Sequence, residues 1–422
     1  MSRNCNIRAP QCAAVARAPS ARPSHHPGIR NAMSNTIPHT LRAALLLNVL
    51  LMPLAATAAT IGDGEPYSLD IGGRLMWDLD NYEGALNADG DGDWRFNTQL
   101  RRARLEMSGT LPGDFDWVLD VNYLESTNDT ELHAAGLRYS GWKVANVFFG
   151  RTKEPFGLEE LASSKAIVTM RRNVFTDATD TDSQPNYGLL LNGFAGPVGW
   201  AAGIFNPDGN PTDEDGSDRL AFTGRVFGAP LNDGDRVLHL GLAATDRNLD
   251  AAESLRGFGL RAAETGDRIP SASILADADR QLGLEALYMD GPWSLQAEAF
   301  WRSLDGADGG PDGTVDSQYL QAAWTVTGES RGYRAGSGVP DMVKPSSGRG
   351  AVELVARVER IAFDVDGAAE QRGRILVAGA NYYPNRNVKL MFNVSHADTT
   401  RLVADGAEDD GLAVTARIQV AF

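Results

Sequence analysis

One short pattern recurs along this chain: about ten residues in which apolar and polar side chains alternate, closed by Gly, Pro, Asn or Asp. In the last such segment, Leu412, Val414 and Ala416 fall on one face of a strand, whereas Thr415 and Arg417 fall on the other. Alternation with a period of two is typical of strands whose sheet has one apolar and one polar face. The pattern therefore predicts an all-β protein.

Sixteen segments of this kind follow residue 58, and their connections alternate in length. The predicted strands cover residues 68–79, 98–111, 115–125, 132–140, 144–151, 187–195, 198–205, 219–228, 235–246, 281–290, 293–302, 316–327, 350–363, 372–383, 387–398 and 411–422. Short turns such as LPGDF alternate with long loops such as 152–186, but the link 328–349 is long where a short one is expected. A seventeenth candidate, 257–263, is better assigned to a long loop.

A transmembrane barrel explains this pattern better than a soluble sandwich or propeller. No run of roughly 18 apolar residues follows residue 58, so strands would have to cross the membrane. Such a barrel turns its apolar face to lipid and its polar face to water, with short periplasmic turns and longer outer loops. Trp77, Trp293 and Trp324 lie near strand ends, as in an aromatic girdle. We expect a 16-stranded antiparallel transmembrane β-barrel, which is wide enough for an aqueous channel.

The first 58 residues have a different composition, with six Arg and no Lys, Asp or Glu. Arg42, the apolar run 43–54 and Ala56-Thr57-Ala58 form the three parts of a secretory signal peptide, with cleavage expected near Ala58. We therefore divide the chain into an upstream extension and signal peptide, 1–58, and a barrel domain, 59–422. Removing six Arg changes the formal charge from −16 to about −22, and Cys5 and Cys12 are removed as well, so no disulfide is expected.

The longest loop in the first half, residues 152–186, is expected to fold inward after the fifth strand and narrow the channel. Its portion PFGLEELASSKAIVTM has helix-compatible composition, and Leu158, Leu161 and Ile167 could pack on the barrel wall. The cations that would then face the lumen are Lys153, Lys165, Arg171 and Arg172. From spacing alone, an exposed loop with solvated charges explains the same residues equally well.

Strand parity gives an independent set of lumen-facing charges. In RRARLEMSGTL, Leu105 and Met107 take the lipid face, so the alternate positions face water. The inward arginines by this test include Arg102, Arg104, Arg138 and Arg225, and the inward acids include Asp120, Glu285, Glu298, Glu353 and Glu359. Each arginine has two candidate roles that the sequence leaves open: lining the pore, or bracing the wall through an ion pair.

The order of several motifs resembles the family of phosphate-selective porins O and P. The matching pieces are RRARLEMSGTL at 101–111, GRTKEPFGLEELASSK at 150–165, GPWSLQAEAFW at 291–301, TVTGESRGY at 325–333, GAVELVARVERI at 350–361 and NYYPNRNVKLMFNVSHA at 381–397. The resemblance implies a trimeric 16-stranded porin whose loop after the fifth strand folds into the pore, and a long link at 328–349. It also implies that an arginine ladder and constriction lysines select phosphate, with Arg101, Arg102 and Lys165 as the corresponding residues.

These features predict an outer-membrane diffusion porin, expected as a homotrimer, with a preference for anions such as phosphate. Guanidinium groups suit anions because they stay charged and match phosphate oxygens. Acidic runs such as DGDGD fall in predicted outer loops, where divalent cations bridging lipopolysaccharide would neutralise them. The alternatives are a non-selective or structural barrel and, more remotely, an outer-membrane hydrolase, although no H-E-x-x-H motif is present. No catalytic residue, metal, cofactor or nucleic-acid partner is expected.

Overall fold

Sixteen long antiparallel strands, labelled β1 to β16, follow one another along the chain of this computed structural model. They are β1 Leu69–Tyr82, β2 Arg95–Leu111, β3 Phe115–Leu124, β4 Asp129–Tyr139, β5 Asn146–Thr152, β6 Asn186–Ala195, β7 Val198–Asn206, β8 Ala221–Asp233, β9 Arg236–Asn248, β10 Ile274–Asp290, β11 Trp293–Gly306, β12 Gly313–Thr325, β13 Ala351–Val365, β14 Gln371–Asn385, β15 Val388–Thr400 and β16 Asp410–Ala421. Each strand pairs with the next, and β16 pairs back with β1. The predicted 16-stranded antiparallel barrel is confirmed, and it is closed.

The structure describes residues 59–61, 67–126, 128–178, 185–206, 219–249, 255–256, 259–270, 273–400 and 410–422. The predicted extension and signal peptide, 1–58, lie outside these residues. Ala59–Ile61, at the predicted start of the barrel domain, pairs with β1. The largest difference from the predicted strand limits is at β10, which begins at Ile274 and not near residue 281.

The remaining elements are short. The helices are α1 Leu158–Leu161 and α2 Val174–Ala178, with 3-10 turns at Gly84–Gly90 and Ala307–Gly309. Leu255–Arg256 pairs with β10, Gly259–Leu260 pairs with Ile269–Pro270, and Arg331–Arg334 pairs with Val339–Val343. No helix in the described part of the chain is long and apolar enough to cross a bilayer.

Side-chain alternation gives the wall its two faces. On β13, Leu354 and Val358 are each 42 % exposed, whereas Arg357 and Glu359 are buried. Large exposed apolar side chains recur on the same face of the other strands, so they form a continuous belt. Exposing apolar area to water costs about 25 cal/mol per Å², so this belt is the surface that meets lipid. The polar side chains consequently point into the barrel.

An aromatic pair marks one rim of the belt. The rings of Trp293 and Trp324 stack with their centroids 4.9 Å apart, at the ends of β11 and β12. Both lie beside the short turn 291–292, so they mark the end of the barrel that carries the short turns. This position agrees with the predicted interfacial girdle.

Within the described residues, three connections fold into the lumen and contact the polar face of the wall. The first, the inward segment (residues 153–178), joins β5 to β6, and its Met170 N–H donates to Asn393 Oδ1 on β15 at 2.7 Å. The second, the outer loop (residues 259–270), joins β9 to β10, and the Tyr82 hydroxyl donates to its Thr265 carbonyl at 2.7 Å. The third, the inner hairpin (residues 331–343), enters from the opposite end and accepts a hydrogen bond from Arg225 at the Ser337 carbonyl, at 2.8 Å.

The inner hairpin explains why the link 328–349 breaks the alternation of turn lengths: it supplies a two-stranded element that fills part of the lumen. In the described part of the candidate strand 257–263, Gly259–Leu260 forms a short strand that lies in the outer loop and not in the barrel sheet. The assignment of this stretch to a loop is therefore confirmed.

The membrane-facing belt makes a testable prediction. Leu284→Arg places a charge in the middle of the outward face of β10, where arginine costs barrels about 2–4 kcal/mol of folding free energy. Urea titration of the protein folded in lipid vesicles measures this cost. Asp290→Arg, on the same face at the periplasmic end of β10, is the matched control and should cost at most about 1 kcal/mol. Equal costs at the two positions would contradict the assignment of this face to lipid.

Candidate functional site

Carboxylates of the barrel wall hold the inward segment at the starts of its two helices. Glu298 on β11 accepts hydrogen bonds from the N–H groups of Leu158, at 2.6 Å, and Glu159, at 3.0 Å, where α1 begins. Glu359 on β13 accepts one from the N–H of Val174, where α2 begins. The first N–H groups of a helix lack partners within the helix and carry partial positive charge, so a carboxylate satisfies both requirements.

The irregular stretch between the helices is held by amide and ammonium groups. Lys389 Nζ donates to the Ile167 carbonyl at 2.6 Å, and Asn381 Nδ2 donates to the Val168 carbonyl at 2.9 Å. Asn381 lies on β14 and Lys389 lies on β15, and the Met170 N–H also donates to a residue of β15. Because this backbone is tied to one side of the wall, the remaining space lies on the other side, next to β2, β3 and β4.

A cavity of about 150 Å³ fills that space. Its lining includes six of the nine cations that the sequence predicts for the pathway: Arg101, Arg102, Arg104, Lys153, Arg171 and Arg172. They come from three places in the chain, namely β2, the start of the inward segment and its stretch just before α2. The acids Glu131, Glu160 and Glu264 also line the cavity.

A β-bulge allows two adjacent arginines to reach this cavity. The pairing of β1 with β2 passes from Arg102 directly to Leu100, which leaves Arg101 without an opposite residue. Arg101 turns inward, and its Nε lies 2.8 Å from Glu264 Oε1 of the outer loop. Neighbours in a regular strand point to opposite faces, so without the bulge Arg101 would point to lipid.

Three carboxylates in and around the cavity each face two cations. Glu106 faces Arg74 and Lys165, Glu160 faces Lys153 and Arg172, and Glu264 faces Arg101 and Arg171. Each group of three therefore keeps one net positive charge while its cations stay protonated. The acids fix the cations in position without cancelling their field.

Arg102 and Arg104 add two further guanidinium groups. Arg102 Nη1 donates to Ser164 Oγ of the inward segment at 3.0 Å. Nε and Nη2 of Arg104 are buried and have no hydrogen-bond acceptor among the described residues. These N–H groups can donate to water in the lumen or to an anion that enters the cavity.

The lysines of the inward segment titrate near neutral pH. Burial, with a further contribution from Arg172, lowers the pKa of Lys153 to about 7 even though Glu160 opposes the change. Burial and Arg74 lower the pKa of Lys165 to about 8. Their positive charges are therefore present below these values and are lost as the pH rises through them.

Glu264 of the outer loop behaves in the opposite way. Burial alone would raise the pKa of its carboxyl, but Arg101 and Arg171 hold this pKa below its ordinary range. Glu264 therefore keeps its negative charge at neutral pH. The two arginines stay fixed around it.

The other three predicted residues lie outside the cavity lining. Lys165 lies beside it, with Nζ 3.0 Å from Glu106. Arg225 on β8 is buried against Glu285, with 2.6 Å between Nη2 and Oε2, and it also holds the inner hairpin. Arg138 is exposed on β4 near the turn 140–145. The contacts of Arg225 are those of a residue that braces the wall.

Sequence reasoning missed several participants. Arg74 on β1 follows the inward parity of its strand, so the same test applied there would have found it. Ser163 and Ser164, whose hydroxyls accept hydrogen bonds from Arg74, carried no signal of their own. Glu264 also gave no signal, because a loop far along the chain brings it to β2.

One sequence motif bears on the hydrolase alternative. GESRG at 328–332 fits the G-x-S-x-G pattern, which sequence reasoning overlooked. In hydrolases of that pattern the serine lies on a sharp turn from a strand to a helix. Ser330 instead precedes the strand Arg331–Arg334, and among the described residues no histidine hydrogen-bonds to it. The motif therefore lacks the structural context of a nucleophile.

A closed 16-stranded barrel with a lipid-facing exterior and a charged interior defines an outer-membrane porin. The chain belongs to the family described as phosphate-selective porin O and P, whose model matches residues 69–422. It is 28 % identical over 393 residues to Porin O of Pseudomonas aeruginosa, covering 84 % of this chain and 89 % of that protein. Together with the fold, this relationship identifies the protein as a channel of the bacterial outer membrane, as predicted.

Two solved structures show the same fold. The anion-selective porin from Comamonas acidovorans matches with a TM-score of 0.55 and 16 % identity, over 84 % of this chain and 100 % of that one. The outer-membrane protein OmpT of Vibrio cholerae matches with a TM-score of 0.55 and 13 % identity, over 85 % of this chain and 99 % of that one. At these identities the similarity concerns the fold alone.

The contacts of Glu298 lead to a second prediction. Glu298→Ala leaves the N–H groups of Leu158 and Glu159 without their acceptor, at a cost of about 1–3 kcal/mol for each buried donor. We expect a less firmly held inward segment, which single-channel recording detects as greater open-channel noise and more frequent conductance substates. Asp305→Ala, which removes an outward-facing acid from the same strand, should record like the wild type. A quiet Glu298→Ala channel would mean that the contacts with β14 and β15 suffice.

Proposed function

We propose that this porin lets small hydrophilic solutes diffuse passively through its lumen, with a preference for anions such as phosphate, and that the inward segment narrows the passage. The observation that carries this proposal is the imbalance of charge in and around the cavity beside β2. Three carboxylates, of which Glu160 and Glu264 line the cavity and Glu106 lies beside it, are each shared by two cations, and Arg102 and Arg104 contribute further positive charge. The predicted homotrimer and the cleaved signal peptide stay predictions.

A narrow aqueous path with walls of low dielectric constant concentrates the field of its fixed charges. Anions would therefore be enriched in the cavity and cations repelled. Guanidinium groups keep their charge at all relevant pH values and present paired donors that match phosphate oxygens. Several moderate contacts along the path would let an anion enter and leave, which a single tight site would prevent.

The comparisons support the same proposal. The family is described as phosphate-selective, and one protein of the same fold is described as anion-selective. Selectivity depends on the residues that line a pore and not on the fold alone, so it has to be argued from the residues of this chain. The cation-rich cavity is the local feature that agrees with those descriptions.

A non-selective porin is the second candidate, and the wall ion pairs favour it. Arg225 pairs with Glu285, Arg302 with Asp279 and Arg417 with Asp78, all between nearly fully buried side chains. These arginines are neutralised and hold the barrel together, so they add little to the field of the passage. The choice between the two functions therefore depends on the cations of the cavity.

Reversal potentials separate the two functions. In a salt gradient across a planar bilayer, the wild-type channel should show anion selectivity, and Arg102→Gln should reduce the anion-to-cation permeability ratio at least about twofold. Lys143→Gln removes one positive charge from an exposed short turn far from the cavity and is the matched control. Cation preference in the wild type, or equal effects of the two substitutions, would contradict the proposal.

The lysine pKa values predict how selectivity depends on pH. Since Lys153 and Lys165 lose their charges above about pH 7 and 8, anion selectivity should fall as the pH rises from about 6 to 9. Reversal potentials measured across this range would show the transition. The double variant Lys153→Arg with Lys165→Arg stays charged throughout and should flatten the profile. An unchanged profile in this variant would exclude the two lysines as its cause.

A further inference from the structure

Three arginines stand together on the outside of the barrel wall, where the anion pathway does not explain them. Arg360 on β13 and Arg372 and Arg374 on β14 are all exposed. They occupy the same outward face as Val358 and Leu376 of the apolar belt. They lie at the strand ends joined by the connection 366–370. This is the end of the barrel opposite the turn 291–292 and the Trp293–Trp324 pair.

The boundary between the belt and the arginines is abrupt. Val358 lies opposite Leu376, and two residues further along each strand Arg360 lies opposite Arg374. An apolar pair is therefore followed directly by a pair of positive charges on the same face. In a transmembrane barrel, this change marks the level at which lipid chains end and headgroups begin.

The protein compensates these charges only in part. Like charges directly opposite each other on neighbouring strands destabilise a sheet. Arg374 pairs with Asp398 at 2.8 Å and Arg372 pairs with Glu370, but all four side chains are at least one-third exposed, and such pairs contribute little. The Arg360 guanidinium has no acceptor among the described residues.

The arginines surround a cleft in the outer wall. It has a volume of about 420 Å³, and the small residues Ala362 and Gly373 form part of its lining beside the three arginines. Glu370 and Asp398, the partners of Arg372 and Arg374, line it too, so three positive charges there face two negative ones. Guanidinium groups bind phosphate oxygens through paired, charge-assisted hydrogen bonds. The ligand that fits is therefore a phosphate group whose attached apolar chains can lie against the neighbouring belt.

We propose that this cleft binds a phosphate group of lipopolysaccharide in the outer leaflet of the outer membrane. The phosphate is held between Arg360, Arg372 and Arg374, and the acyl chains lie along Val358 and Leu376. The outer membrane supplies this lipid on the side of the barrel where the cleft lies. The site depends on the location of the porin in that membrane and not on the selectivity of its pore.

Titration with fluorescent lipopolysaccharide in detergent micelles tests the proposal on the purified porin. The double variant Arg360→Gln with Arg374→Gln should bind at least about tenfold more weakly than the wild type. Arg360→Gln alone, which keeps the pair of Arg374 with Asp398, should show a smaller loss of about threefold. Wild-type pore conductance in both variants would establish that they fold, since neither residue touches the lumen.

Two controls show whether binding depends on this cleft and on the phosphate group. Arg280→Gln removes a single outward arginine on β10, which pairs with Asp305 at 2.9 Å, and should change binding less than about twofold. Dephosphorylated lipopolysaccharide should bind the wild type as weakly as it binds the double variant. Unchanged affinity in the double variant would overturn the proposal. Full competition by inorganic phosphate at about millimolar concentration would overturn it too. So would a double variant that changes its oligomeric state but still binds lipopolysaccharide like the wild type.

Discussion

The pairing of β16 with β1 is the constraint on which the rest of the structure depends. It closes the sheet, so the barrel wall leaves no strand edge with unpaired backbone groups in the hydrocarbon of the bilayer. Closure also gives the two faces of the sheet different surroundings, lipid outside and water inside. Each strand must then alternate between apolar and polar side chains, and this alternation puts charged residues such as Arg104 and Glu298 into the lumen. The charged interior is thus a consequence of closure.

The polar wall in turn organises what folds into it. Non-helical backbone at membrane depth needs hydrogen-bond partners, and the wall provides Glu298, Glu359, Asn381 and Lys389 for the inward segment. This explains why the wall carries so many acids in a channel proposed to favour anions. Glu298 and Glu359 hold helix starts and Glu285 neutralises Arg225, so these acids are occupied by the fold. The cations near β2 outnumber their acids, and the proposed selectivity depends on that local excess.

The sequence predicted the fold well because side-chain alternation is a local signal repeated sixteen times. It also singled out the connection after the fifth strand by its length, although spacing alone left an exposed loop equally possible there, and it named six of the cations that line one cavity. It was less successful where a residue's environment depends on distant parts of the chain. The same parity that puts Arg225 and Arg104 on the inner face cannot show that Arg225 is neutralised by Glu285 while Arg104 retains donors without acceptors. The unusual length of the link 328–349 was visible, but its fold as the inner hairpin was not.

By itself, the sequence determined which residues form strands and which face of each strand meets lipid, because a period of two requires only the strand's own residues. Tertiary structure alone decided that Arg101 and Arg102 face the same side, since the bulge that turns Arg101 inward is a property of the β1–β2 register. It also decided that Glu264, from the outer loop, lies between Arg101 and Arg171. The physical reason is range: alternation is fixed by adjacent residues, whereas ion pairs and bulges are fixed by strands and loops that meet only when the barrel closes.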